Sequence, residues 1–220
     1  MFLKEDGYFS LSNFGYVAFI LLLLVTLVTI GFFQKKQAPT KRFQTKQLVF
    51  SALSLALAFV LSYIQPYKLP WGGSVTLCSM LFICLVGYWY GLKAGLATAF
   101  AYSILQFLQS GGSYILTPLQ VCLDYFFAFT ALGFSGLFYQ KKNGLLKGYI
   151  LAVFLRGLCH TIGGYLYWLE YMPEDFPETL AILYPIIYNY SYLLIEGVAT
   201  ICLLLLPPVK TALKQIQANI

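Results

Sequence analysis

The sequence predicts an all-α integral membrane protein: a six-helix bundle with one extra transmembrane helix ahead of it. Three observations carry this. Of 220 residues, 60% are hydrophobic and only 10% are charged, whereas a soluble domain carries about 25% charged residues. The apolar residues come in runs of roughly 20, the length needed to cross a bilayer. The charged segments between those runs alternate along the chain between basic and acidic or neutral, the pattern expected of a multi-pass topology.

The seven expected helices cover roughly residues 14–33, 47–64, 76–91, 93–109, 117–139, 148–168 and 180–206. The leader Met1-Phe2-Leu3-Lys4-Glu5-Asp6 lacks the basic start of a signal peptide. Gln34-Lys35-Lys36 follows where a small-residue cleavage site would be needed, so the first helix is expected to be retained. Residues 34–46 read as a basic linker. This divides the chain into 1–46, the extra helix and linker, and 47–220, a six-helix membrane domain. The third and fourth helices are separated only by the turn Tyr90-Gly91-Leu92-Lys93, and the fifth begins near Thr117-Pro118.

Sidedness follows from charge. Lys35, Lys36, Lys41, Arg42 and Lys46 share one side with Lys93, with Lys141, Lys142 and Lys147, and with Lys210 and Lys214. The other side receives Glu5 and Asp6, then Lys68 alone, then an uncharged loop, then Glu170, Glu174, Asp175 and Glu178. The basic side is expected to be cytoplasmic, which puts the N-terminus outside and the C-terminus in the cytoplasm. The net charge of +6 is thereby a matter of topology, and no nucleic-acid partner is implied.

Several chemistries have no motif to support them. There is no G-x-x-x-x-G-K-[ST] loop, no H-E-x-x-H and no G-x-S-x-G. Paired carboxylates within a span are missing, so an enzyme has little to work with. The five cysteines, Cys78, Cys84, Cys122, Cys159 and Cys202, form no C-x-x-C pair, and the one histidine has no ligand-spaced partner. Neither a metal nor a cofactor is expected.

What stands out is polar equipment inside the spans: Asp124, Arg156, His160 and Glu196. Intramembrane charge is costly, so each is a functional candidate, with structural pairing of Asp124 to Arg156 or His160 as the plainer reading. Asp124 and His160 both lie about two turns, roughly 10 Å, below the outer ends of their helices. Arg156 lies a turn deeper and is expected to snorkel or to cap another helix's carbonyls. His160, Gly164, Tyr167 and Trp168 share a helical face that Gly163 and Gly164 are expected to leave open. Tyr184 and Tyr188 stack one turn apart with Asn189 beside them. Trp71 sits in the outer turn Leu69-Pro70-Trp71-Gly72-Gly73-Ser74, and Tyr114 in Ser110-Gly111-Gly112-Ser113-Tyr114. An aromatic belt accounts for interfacial rings, but not for an acid, an imidazole and an amide beneath them. Rings over a carboxylate suit a small, flat, partly cationic heterocycle.

From residue 47 to about 206 the chain resembles the thiamine-specific S components of energy-coupling factor transporters, the ThiT/YuaJ family. The resemblance rests on Pro70-Trp71-Gly72-Gly73-Ser74, Pro118-Leu119-Gln120-Val121-Cys122-Leu123-Asp124-Tyr125, Arg156-Gly157-Leu158-Cys159-His160 and Tyr184-Pro185-Ile186-Ile187-Tyr188-Asn189, in that order across six spans. It implies six membrane helices with the vitamin bound near the outer face, under the loop after the first of them. Trp71 would enclose the ligand from that loop. Asp124 would contact the aminopyrimidine, with Tyr125 and Tyr114 near it. Trp168 would stack on a ring beside His160, and Tyr184 and Asn189 would complete the pocket. The family commonly has Gly after that Asn and Pro before the late Glu; this chain has Tyr190 and Ile195.

The resemblance also implies partners: a transmembrane coupling subunit and two ATPase subunits. Ala52 and Ala56, with Ser54 and Ala58 likewise, offer small residues for a close helix contact, either to the coupling subunit or within the chain. Two other readings remain at this stage. One keeps the fold with a different vitamin. The other is an autonomous secondary transporter using Asp124 and His160 as a proton relay.

Overall fold

The computed structural model describes residues 2–5, 8–12, 14, 15, 17, 18, 21, 45–69, 73–110 and 115–219. The expected first helix, 14–33, lies mostly outside these residues, as does nearly all of the linker 34–46. Ahead of it, β1 (Phe2–Glu5) and β2 (Tyr8–Leu11) pair antiparallel, Phe2 opposite Leu11 and Glu5 opposite Tyr8, an element the sequence reading did not anticipate.

The first bundle helix, α1 (Thr45–Tyr63), is apolar nearly all round, yet only Ser54, Ala58 and Ser62 are buried. These three recur every four residues, so one thin stripe of small side chains meets the bundle. Leu48, Leu53 and Val60 stay exposed on the faces turned away from the bundle, as on a helix whose solvent is lipid. Pro66 follows the helix end. Beyond it β3 (Tyr67–Lys68) pairs antiparallel with β4 (Ser74–Val75), and the Leu69 N–H donates to the Gly73 carbonyl at 3.1 Å.

The interior begins with α2 (Ser79–Tyr90), in which nine of twelve residues are buried. At 1.5 Å per residue it is about 18 Å long, shorter than a bilayer core. Gly91, with φ of 86°, reverses the chain into α3 (Leu92–Gln109). These two helices and the lower half of the next cross at backbone distance. A Cβ on Gly95 would stand 2.8 Å from Gly87 Cα, and one on Gly133 would stand 2.6 Å from the Leu96 backbone. Such small-residue crossings are how membrane helices gain dispersion contact without a hydrophobic driving force.

The remaining spans are long and irregular. α4 (Pro118–Phe138) opens with Thr117 as N-cap, its Oγ1 accepting from the Gln120 N–H at 3.1 Å, and Pro118 in the first turn. It then widens into a π-turn at Cys122–Phe127 and tightens to a 3-10 helix at Ala131–Phe138. α5 (Gly144–Tyr171) is regular to Gly163 and then π-wound at Gly164–Trp168. α6 (Glu178–Leu205) starts as a 3-10 turn and becomes α-helical from Tyr184, with Pro185 in its first turn.

Among the described residues, four helices, α1, α4, α5 and α6, are long and apolar enough to cross a membrane; α2 is a shorter apolar helix. Together with α3 they supply the six expected helices, with ends displaced by a few residues. The chain leaves α6 through an extended Leu206 and turns at Pro207-Pro208 into α7 (Pro207–Ala218), where the sequence reading had only a tail.

Candidate functional site

Two π-turns face each other at the end of the bundle that carries the β3–β4 hairpin. π-turns inside α-helices are frequent at functional sites. Asp124 lies in the first and Trp168 ends the second. One carboxylate oxygen of Asp124, Oδ2, accepts from the Trp168 indole N–H at 2.8 Å and from the Gln120 amide at 2.7 Å. The other, Oδ1, stands 3.7 Å from His160 Nδ1, with both side chains about seven-eighths buried. On the far side of the imidazole, the Arg156 Nε–H donates to His160 Nε2 at 3.4 Å. An Nε2 that accepts leaves the ring proton on Nδ1, facing the acid.

α6 closes the cluster. The Asn189 amide donates to the His160 carbonyl at 3.2 Å and to the Pro185 carbonyl at 2.8 Å, while its oxygen accepts from the Tyr192 hydroxyl at 3.3 Å. Above it the Tyr184 and Tyr188 rings stack, centroids 5.5 Å apart and 22° from parallel.

The face at Gly163 and Gly164 is filled, contrary to expectation. A Cβ on Gly163 would lie 2.6 Å from Asp124 Oδ1, and one on Gly164 would lie 2.7 Å from Pro185 Cβ. These glycines admit the acid and α6 rather than leaving an opening.

A cavity of about 360 Å³ adjoins this cluster under the hairpin, within the size range of small-molecule sites. Gly73, Ser74 and Thr76 roof it, Tyr102 and Gln106 come from α3, Tyr125 and Phe129 from α4, Arg156 from α5, and Tyr192 and Glu196 from α6. At its rim the Gln106 amide donates to Ser62 Oγ at 3.0 Å and to Gln109 Oε1 at 2.7 Å.

Glu196 is 3% exposed, and its Oε2 accepts from the Thr76 N–H at 2.9 Å and from the Thr76 hydroxyl at 2.7 Å. One turn up, the Tyr192 ring lies so close to Gly73 that a Cβ there would fall 2.4 Å from it, and Gly73 has a φ of 74° that favours glycine. The hairpin is thus fastened to α6 at two points.

Of the residues singled out from the sequence, Asp124 and Trp168 form one hydrogen-bonded pair and His160 and Asn189 another, and the 3.7 Å Asp124–His160 contact joins the two. Tyr125 lines the cavity, and Tyr184 stacks at the cluster's edge. Trp71 and Tyr114 lie outside the described residues. Arg156 neither snorkels nor caps a helix: its guanidinium lies 4.2 Å from the Phe129 ring centroid, bonds His160 and lines the cavity.

Glu196, left without a role by the sequence reading, holds the hairpin, and Tyr192, Tyr102 and Gln106 were missed. The run Tyr184, Tyr188, Tyr192, Glu196 at four-residue spacing was the available signal. On α1, Ser54 and Ala58 pack inward, while Ala52 and Ala56 are exposed, and Ala52 lines a groove of about 290 Å³ between α1 and α3.

Comparison with known proteins gives concordant matches. The chain is 32% identical over 168 residues to the thiamine transporter ThiT of Bacillus subtilis, covering 68% of this chain and 85% of that protein. It is 30% identical over 176 residues to the thiamine transporter ThiT of Lacticaseibacillus paracasei, covering 72% and 86%. The solved structure of ThiT from Listeria monocytogenes superposes with a TM-score of 0.59 at 24% identity, over 76% of this chain and 95% of that one, and so shares the fold. The family model described as thiamine transporter protein (Thia_YuaJ) matches residues 48–216. That match runs from the start of α1 into α7 and takes in every residue of the buried cluster: the chain belongs to the thiamine transporter protein (Thia_YuaJ) family.

Proposed function

We propose that this chain is the substrate-capturing S component of an energy-coupling factor importer and that it binds thiamine from outside the cell. The observation that carries the reading is Asp124, a nearly buried carboxylate held 2.8 Å from an indole N–H and 3.7 Å from an imidazole, beside stacked tyrosines. A carboxylate is the acceptor that an aminopyrimidine's exocyclic amine requires, and ring faces suit both the pyrimidine and the cationic thiazolium. Asp124 bonds Trp168 and Gln120; a ligand amine exchanges for one of them, so the buried carboxylate stays paired.

The cavity under the hairpin extends the site toward α1 and α3, and the family resemblance adds Trp71 and Tyr114 to the ligand contacts. Transport is driven by a coupling subunit and two ATPase subunits, with the exposed Ala52 and Ala56 as the docking stripe on α1. The hairpin end faces outward, the C-terminus lies in the cytoplasm, and residues 1–46 form an added segment. The family match beginning at residue 48 supports that division.

Titrating thiamine into the purified protein and reading tryptophan fluorescence tests the proposal. Saturable quenching below micromolar thiamine is expected; an unchanged signal at micromolar thiamine rejects it, and quenching by another vitamin instead keeps the fold and changes the ligand. The Asp124–His160 pair also suits a proton relay. Thiamine uptake by vesicles that hold this chain without any ATPase would favour that reading over the importer.

A further inference from the structure

We propose that the end of the bundle opposite the ligand cluster holds one anionic phospholipid, seated between α7 and the start of α5. A cavity of about 470 Å³ lies there. Its apolar wall is made by Leu145 and Leu146 of α5 and Leu204 and Leu205 of α6; its charged wall is Lys210 and Lys214, one turn apart on α7. The helix is set by its own amphipathic pattern: Val209 and Leu213 pack against the core, which turns the flank bearing the two lysines toward α5.

The charge balance calls for an external anion. Among the described acids, Asp124, Glu170, Glu174, Asp175 and Glu178 belong to the opposite end, Glu196 lies mid-bundle and Glu5 lies in the β1–β2 hairpin, and Lys210 and Lys214 form no ion pair among the described residues. Lys141, Lys142 and Lys147 add to the same end. A phosphodiester between Lys210 and Lys214 pairs with both and cancels one of their two charges, leaving the site attractive to a net anionic headgroup. The leucine wall continues to Leu205, which is half exposed on the membrane face, and gives an acyl chain its path out. A water-soluble anion would use the lysines and leave the leucines idle; a phospholipid uses both. Basic pockets beside membrane helices bind anionic headgroups in this way.

The test is native mass spectrometry of the full chain in detergent, exposed to phosphatidylglycerol or to phosphatidylcholine of identical acyl chains. At about a fivefold effect per lysine near a membrane surface, roughly tenfold or greater preference for phosphatidylglycerol is expected, and K210Q/K214Q should abolish most of it. K141Q/K142Q, the same charge change outside the cavity wall, should leave the preference in place, as should thiamine affinity in every variant. Equal retention of the two lipids overturns the proposal. So does equal loss in both double variants, which signals diffuse surface charge. Unchanged lipid preference in K210Q/K214Q with weakened association to the coupling subunit overturns it too, and makes this face a protein interface.

Discussion

Helix α4 runs through two regions built on opposite rules. Its second half, Ala131–Phe138, is wound tight and lies against α3 with Gly133 and Gly136 at backbone contact. Its first half, Cys122–Phe127, is wound loose, and its acid, Asp124, reaches Trp168 and His160 on α5. The tight half gains from close packing and admits no added atom. The loose half holds its acid through directed bonds that a ligand can replace. A membrane protein can thus keep a rigid floor and an exchangeable site on one helix, provided the winding changes between them.

Substitutions that separate the two rules test this contrast. Gly133→Leu should have the largest effect, about 3 kcal/mol or more of stability, because its side chain would enter the Leu96 backbone. Thermal unfolding in detergent should show it, and whatever fraction stays folded should bind thiamine normally. Asp124→Ala should do the reverse. Binding should weaken by about 2–3 kcal/mol, since the ligand loses its acceptor, and unfolding should shift by less, about 1 kcal/mol, since Trp168 and Gln120 lose theirs. Isothermal titration measures that loss.

Trp168→Ala and His160→Ala should each weaken binding by about 1–2 kcal/mol with the fold intact. Normal affinity in both would mean that the site lies elsewhere. Glu196→Ala should have the smallest effect, about 1 kcal/mol. It frees the hairpin at Thr76, so stopped-flow traces should show faster thiamine release with association little changed. A change confined to association would contradict the fastening role.

Four of the bundle helices, α1, α4, α5 and α6, were legible because a long apolar run marks a segment that can cross a bilayer. α7 was not, since twelve mixed residues carry no such signal and their helix depends on Val209 and Leu213 finding the core. Asp124, His160, Trp168 and Asn189 were legible as polar or aromatic residues at one depth. Their mutual bonds were not, because no residue type marks a π-turn, and two π-turns set where Asp124 and Trp168 point. Gly163 and Gly164 misled for a related reason: a glycine in a sequence reads as space, and here the space is already taken by Asp124 and Pro185. The Glu196 contact to Thr76 joins residues 120 apart in the chain, beyond any local pattern.

The central claim is that the ligand is received beside Asp124 and Trp168. The chain has three tryptophans, and Trp89 is buried in α2 within the core. Thiamine should therefore quench the fluorescence of a W71F/W89F protein, whose one reporter is Trp168, and leave that of a W71F/W168F protein, whose one reporter is Trp89, unchanged. Quenching of the Trp89 reporter with a silent Trp168 would contradict the account.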